Sequence, residues 1–203
     1  AAALSVVVLG DESGYTATEH QKMKIASIEA MWHTEPAPAG FTIFGLPDVS
    51  AQKTHAEIKI PWALGLIATR SISKEVPGIM NLVEHAEQRI RSGQQAYAAL
   101  QHLRVDKQDS AARAQFEQHQ ADLGYALLLK RHIADPTQAS ETDIERAAQS
   151  IIPNVPVMFW SFRLMVGLGF FFILLFATAF VVTARRHIEK HRGLLRLALD
   201  CLP

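Results

Sequence analysis

The sequence predicts an all-α membrane protein, a polytopic fragment in which transmembrane helices bracket a large, mostly helical extracytoplasmic loop. Three observations predict it. Leu164 to Ala184 is a run of 21 residues without an Asp, Glu, Lys or Arg. At about 1.5 Å of helix rise per residue it covers roughly 30 Å, the thickness of a bilayer's hydrocarbon core. The flanks of that run differ in charge. Arg185, Arg186, Lys190, Arg192 and Arg196 follow it, with Glu189 alone against them before Asp200, whereas Glu141, Asp143 and Glu145 outnumber Arg146 on the other side. The positive-inside rule then puts the C-terminal end in the cytoplasm and the residues before Val157 outside. Finally, the outer segment repeats apolar residues at the three-and-four spacing of amphipathic helices.

Taken in order, residues 1–10 read as the outer end of a truncated transmembrane helix. Ala1 to Leu9 is apolar but too short to span a bilayer, and Gly10-Asp11-Glu12 follows it where a leader peptide would need a small-residue cleavage site. Residues 11–155 form the outer loop. Within it, Thr16 to Thr34 reads as a helix capped by Thr16 or Thr18 and ending before Pro36. Thr34 to Pro61 reads as an irregular, rigid loop, punctuated by Pro36, Pro38, Gly40, Gly45 and Pro47 around the apolar residues Phe41, Ile43, Phe44 and Leu46. Trp62 to Ile67 is a short apolar piece. Ile79, Leu82, Val83, Ala86 and Ile90, continued by Tyr97 and Leu100, mark a long amphipathic helix. Asp109 to Arg131 repeats that pattern with Phe116, Leu123 and Leu127, and Asp143 to Ile151 is a short last helix before Pro153. Residues 156–185 form the membrane crossing, with Phe159 and Trp160 placed for an aromatic interface belt. Residues 186–193 make a basic cytoplasmic turn, and residues 194–203 begin another transmembrane helix.

Twenty basic and twenty acidic residues balance, and no basic stripe interleaved with aromatics argues for a nucleic-acid partner. The single cysteine, Cys201, excludes an internal disulfide in this chain. His187 and His191 stand four apart, but Ile188 occupies the position where the helical zinc-protease pattern has Glu, and no third ligand is near.

The densest polar cluster is Gly10-Asp11-Glu12-Ser13-Gly14-Tyr15, followed by Gln21, Lys24 and Glu29. On a helix, Gln21 lies between Lys24, about 60° to one side, and Glu29, about 80° to the other. The three line one broad face with a donor, a cation and a carboxylate, a set able to hold a dihydroxy-aromatic substrate and accept its protons. The same spacing equally suits the solvated face of an ordinary helix. At the start of the apolar run, the Met165 thioether is either core packing or an axial haem ligand. Arg163 is either a snorkelling edge charge or the partner of a buried anion such as a haem propionate.

Together these residues resemble subunit I of the cytochrome bd quinol oxidases. The matching stretches are Gly10 to Tyr15, Gln21, Lys24, Ile28-Glu29-Ala30, Glu35-Pro36-Ala37-Pro38, Phe41, Phe44-Gly45 and Pro47-Asp48. Ile60-Pro61, Ala63-Leu64-Gly65, Ile67-Ala68-Thr69-Arg70, Leu123-Gly124-Tyr125, Leu127 to Arg131, Phe162-Arg163 and Met165 follow in order. The resemblance implies that residues 11–155 are the quinol-binding loop, in the form with a long C-terminal insertion, on the periplasmic side of a bacterial cytoplasmic (inner) membrane. It implies a respiratory enzyme that oxidises ubiquinol or menaquinol at the outer face. Electrons then pass through a low-spin haem b to a second haem b and haem d, where oxygen is reduced to water, building a proton-motive force without pumping.

Carried over residue by residue, the resemblance makes Lys24 and Glu29 catalytic quinol-site residues and adds Gln21 and Phe41 to the quinol contacts. Met165 becomes the axial ligand of the low-spin haem iron, and Arg163 a neighbour of that haem. The implied partners are subunit II, a small accessory subunit, quinol and membrane lipid. Val49-Ser50-Ala51-Gln52 departs from the acidic residues of well-known members, so no carboxylate role is expected there. The histidine opposite Met165 and the ligands of the other haems are not in this chain, and the fragment alone is expected to be inactive. A second plan also fits two membrane helices bracketing a helical outer domain: a bacterial transmembrane sensor.

Overall fold

A computed structural model describes residues 2–185 and 192–200. His187, Glu189, His191 and Cys201 lie outside the described residues, as does most of the basic turn. The chain divides into two compact units, Ala1–Phe159 and Trp160–Pro203.

The first unit opens with helix α1 (Ala2–His20) and, after a break at Gln21, helix α2 (Lys22–Glu29). The expected helix start at Thr16 or Thr18 is absent. Both threonines lie inside α1, and the Thr18 hydroxyl turns back to the Gly14 carbonyl at 3.1 Å, the bond a mid-helix threonine makes when no amide needs capping. The helix also stops earlier than Thr34. Ala30 takes a left-handed conformation (φ 50°, ψ 39°), and the Met31 amide reaches the Ala26 carbonyl at 2.9 Å, closing the end in the six-to-one bond of a Schellman turn.

The fold is not all-α. Strands β1 (Phe41–Asp48) and β2 (Lys53–Ile60) form an antiparallel hairpin where an irregular loop was expected. Phe41, Ile43 and Phe44 on one side and Ile58 and Ile60 on the other are good strand formers. Gly45 and Pro47 are absorbed by register shifts between Thr42 and Phe44 and between Phe44 and Leu46, irregularities that a two-stranded edge tolerates. The turn is built by Asp48, whose carboxylate accepts from the Ser50 amide (2.9 Å), the Ser50 hydroxyl (2.6 Å) and the Ala51 amide (3.0 Å).

Helix α3 (Ala63–Thr69) follows, then the long α4 (Ile79–Val105), which buries the predicted Ile79, Val83, Ala86 and Ile90. The stretch 109–131 is divided into α5 (Ser110–His119), a 3₁₀ turn at Gln120–Asp122 and α6 (Leu123–Leu129). Its buried residues are Ala112, Ala126 and Leu129, while Leu127 is exposed. Asp109 caps α5 by accepting from Ala111 and Ala112 at 3.0 Å each. Helix α7 (Glu141–Gln149) starts at a reciprocal Ser140–Asp143 capping box. Three clusters hold this unit. One joins α4, α6 and α7 around Ile90, Leu129 and Ile144. A second packs Ala26, Ala30, Trp32 and Ile79 with Val155 and Phe159. The third gathers Met31, Ala39, Leu64, Ala68 and Val76, with Ile25 and Phe41 against it.

Helix α8 (Val155–Ala184) contributes its first residues to this unit and the remainder to the second. Among the described residues it is the one helix long and apolar enough to cross a membrane, 30 residues with a mean hydropathy of 2.6 over an 18-residue stretch. Helix α9 (Arg192–Asp200) completes the second unit.

Candidate functional site

The polar cluster at the end of α1 is structurally engaged. Asp11 and Glu12 accept from Arg70 at 2.7 and 3.0 Å, and the same guanidinium lies 4.4 Å above the Tyr15 ring. The hydrogen bonds that Arg70 donates to Glu12 and Asp11 raise its pKa above the usual value. Two helical turns on from Glu12, Glu19 pairs with Lys74. Together these contacts tie α1 to α3 and the loop after it, so Asp11 and Glu12 work first as anchors.

The predicted site residues separate into two places. Gln21 is not part of α2's regular face: at φ −123° and ψ 48° it forms the junction, its carbonyl accepting from Lys24 (2.9 Å) and Ile25 (3.2 Å). It is exposed on an open groove of about 600 Å³, shared with His20, Lys22, Asn81, His85 and Arg89. Arg89 is itself fixed, bonding Asp122 at 2.6 Å and lying 4.2 Å from the Tyr125 ring. Lys24 is exposed on α2, and Glu29 lies about 140° further round the helix.

Glu29 is 3% exposed at the C-terminal end of α2. Its carboxylate accepts a 3.1 Å hydrogen bond from the backbone amide of Thr42, itself 2% exposed. Phe41, one residue earlier, is half-buried and packs against the Met31–Leu64–Val76 cluster. The structure therefore brings Glu29 and the Phe41–Thr42 start of the hairpin together. It leaves Lys24 exposed and places Gln21 in the groove beside α4. Sequence reasoning missed Thr42 because its contribution is a main-chain amide, which no side-chain pattern announces. It also missed Thr54, whose hydroxyl donates to the Ala30 carbonyl at 2.8 Å.

In the second unit, Arg163 is half-buried and Met165 is 60% exposed. Two residues apart, they lie about 200° around α8 from one another. The thioether is thus presented on the surface of an apolar helix, where a soft donor can meet a metal. Among the described residues, no group of three or more His, Cys, Asp or Glu is placed to hold a metal ion.

Comparison with known proteins gives these placements a context. The chain is 36% identical over 202 residues to the cytochrome bd-II ubiquinol oxidase subunit 1 of Escherichia coli (strain K12), covering 100% of this chain and 39% of that protein. It is 25% identical over 191 residues to the cytochrome bd ubiquinol oxidase subunit 1 of Bacillus subtilis (strain 168), covering 92% of this chain and 29% of that one. It thus spans well under half the length of either relative. Residues 1–203 match the family described as cytochrome bd terminal oxidase subunit I, and the chain belongs to that family.

Proposed function

We propose that this chain is part of a respiratory quinol:oxygen oxidoreductase of a bacterial inner membrane, working with subunit II and a small accessory subunit. In this reading residues 11–155 are periplasmic and bind ubiquinol or menaquinol, and α8 returns to the cytoplasm. Oxidising a quinol to a quinone releases two electrons and two protons. Release of those protons outside, with oxygen reduced to water by protons taken from inside, builds a proton-motive force without pumping.

The observation that carries the reading at the site is the buried Glu29 carboxylate, fixed by the Thr42 amide. A buried carboxylate is stable only where hydrogen bonds hold it, and one at the membrane exit of a quinol-oxidase loop is suited to accept a quinol hydroxyl proton. Lys24 is the cation for the substrate oxygen, Phe41 the apolar wall and Gln21 a further polar contact. In α8, Met165 is the thioether that would hold the iron of a low-spin haem b, and Arg163 would be a neighbour of that haem. An exposed thioether on an apolar helix fits that group. The haem supplies one-electron redox chemistry when bound; a second haem b and haem d complete the proposed cofactor set. Family membership over the whole chain removes the support for a transmembrane sensor.

Membranes from cells expressing the parent gene should show haem b and haem d bands on dithionite reduction, and their absence would refute the oxidase reading. Met165→Leu should remove or shift the low-spin haem signal with the other bands retained; an unchanged spectrum refutes the ligand assignment. Glu29→Ala should slow quinol oxidation at least about tenfold with all haems present, and a normal rate refutes its role.

A further inference from the structure

We infer that the β1–β2 hairpin is the positioning element for Glu29, acting through the Thr42 amide; the inference rests on the quinol-site reading above. The hairpin grips the end of α2 at two successive residues. Thr42 donates its backbone N–H to the Glu29 carboxylate at 3.1 Å, and Thr54, on the other strand, donates its hydroxyl to the Ala30 carbonyl at 2.8 Å. Both bonds fall where α2 has just ended in a left-handed residue, so neither carbonyl nor carboxylate is held in place by continued helix.

The hairpin is built for this approach. Gly45 lies between the two threonines: a Cβ there would sit 2.7 Å from Thr54 Cγ2 and 3.5 Å from Thr42 Cγ2, and 3.4 Å from the Phe159 ring. A side chain at Gly45 would push the Thr54 methyl aside, and with it the hydroxyl that bonds Ala30. The register shifts on either side of Phe44 interrupt the regular ladder just after Thr42, an irregularity of the kind that re-aims groups beside functional sites. At the opposite side of the strand pair, Lys59, the partner of Thr42 in register, is anchored by Glu35 and Glu57. The Glu35 pair ties β2 to the segment that leads into β1, beside Thr42. A charge-assisted bond from an amide to a carboxylate is among the stronger and more directional hydrogen bonds. It holds one oxygen of Glu29 and with it the orientation of the whole group. A misplacement of even 1 Å in a proton acceptor is costly to rate.

The test uses the complete oxidase in membranes, with haem content measured on each variant. Thr42→Pro deletes the N–H, whereas Thr42→Val keeps it in a similar shape. Thr42→Pro should lower kcat for quinol oxidation about tenfold with KM nearly unchanged, and Thr42→Val should restore the rate to within about twofold. In a Glu29→Gln background, Thr42→Pro should have no further effect. The inference is overturned if Thr42→Pro with full haem content runs at the wild-type rate while Glu29→Gln is slow. It is equally overturned if Thr42→Pro costs the same factor in the Glu29→Gln background, since that is general damage. Should Thr42→Pro not assemble, Thr54→Val decides: a fall of about threefold in kcat that vanishes in the Glu29→Gln background supports positioning, and an unchanged rate refutes it. A wild-type rate in Glu29→Gln itself refutes the quinol-site reading, and the inference with it.

Discussion

Gly93 and Gly124 look alike in the sequence, each a glycine within a helical apolar pattern, yet the structure separates them. A Cβ on Gly93 would lie 2.4 Å from the Asp122 carbonyl oxygen and 2.9 Å from the Ala126 amide nitrogen. Backbone on both counts, these atoms cannot swing away, so α4 would have to part from the turn into α6. Gly124 has nothing within 4 Å of its Cβ position. Gly93→Ala should therefore destabilise the loop by about 2 kcal/mol through overpacking. Gly124→Ala should instead be neutral or stabilising by about 0.5–1 kcal/mol, because alanine restricts the unfolded chain and favours helix. Protease cleavage of the loop in intact membranes, followed against temperature, distinguishes them: the Gly93 variant should become susceptible at a lower temperature and the Gly124 variant should not. Equal behaviour would contradict the close α4–α6 approach. At this scale the sequence names the residue types but not the neighbours that decide their effect, and the same holds for Thr42, whose value lies in an amide every residue but proline possesses.

The helices of the first unit were legible as elements because burial repeats at a fixed spacing: Ile79, Val83, Ala86 and Ile90 are read off the sequence and are buried in α4. The hairpin was not. Prolines and glycines ordinarily interrupt strands, and here Gly45 and Pro47 fall inside β1 and are accommodated by its irregular register. The decisive local signal was Asp48, two residues before Ser50, an Asx-type turn between two strand-forming runs. That turn carries a pH prediction. The Ser50 hydroxyl, then the Ala51 amide, hold the Asp48 carboxyl below its usual pKa, with His55 adding a smaller attraction. A depressed carboxylate pKa contributes stability that is complete above the unfolded value, near 4, and is lost as pH falls through the lower folded value. Exchange of the Ser50 and Ala51 amides, corrected for intrinsic rates, should be slow at pH 7 and accelerate as pH falls below about 4. In Asp48→Ala it should be fast at both. Protection that persists in Asp48→Ala would show that the strands, and not this carboxylate, close the turn.

At the scale of the whole molecule, orientation rests on a charge argument that the fold itself does not make. Helix α8 supplies the length and apolarity for a crossing, but a helix of that kind crosses equally well in either direction. What distinguishes its ends is the acidic stretch around Glu141 to Glu145 before it and Arg185, Arg186, Arg192 and Arg196 after it. Retaining basic segments on the cytoplasmic side is favoured by insertion and by the anionic inner leaflet. Cysteine accessibility tests the resulting arrangement, in a parent protein in which Cys201 and any cysteine outside these residues are replaced by serine. Ser110 and Gly193 are both exposed, one at the start of α5 and the other in α9. In intact cells with a permeable outer membrane, a membrane-impermeant maleimide should label Ser110→Cys, and it should label Gly193→Cys only after the inner membrane is opened. The reverse pattern would turn the loop inward, and with it Glu29 and Lys24, to a face where quinol protons released at the site would no longer add to an outward proton gradient. Labelling of both in intact cells would mean that α8 does not separate them, and the membrane crossing itself would fall. Sidedness thus decides whether the site chemistry proposed for Glu29 can be coupled to energy conservation at all.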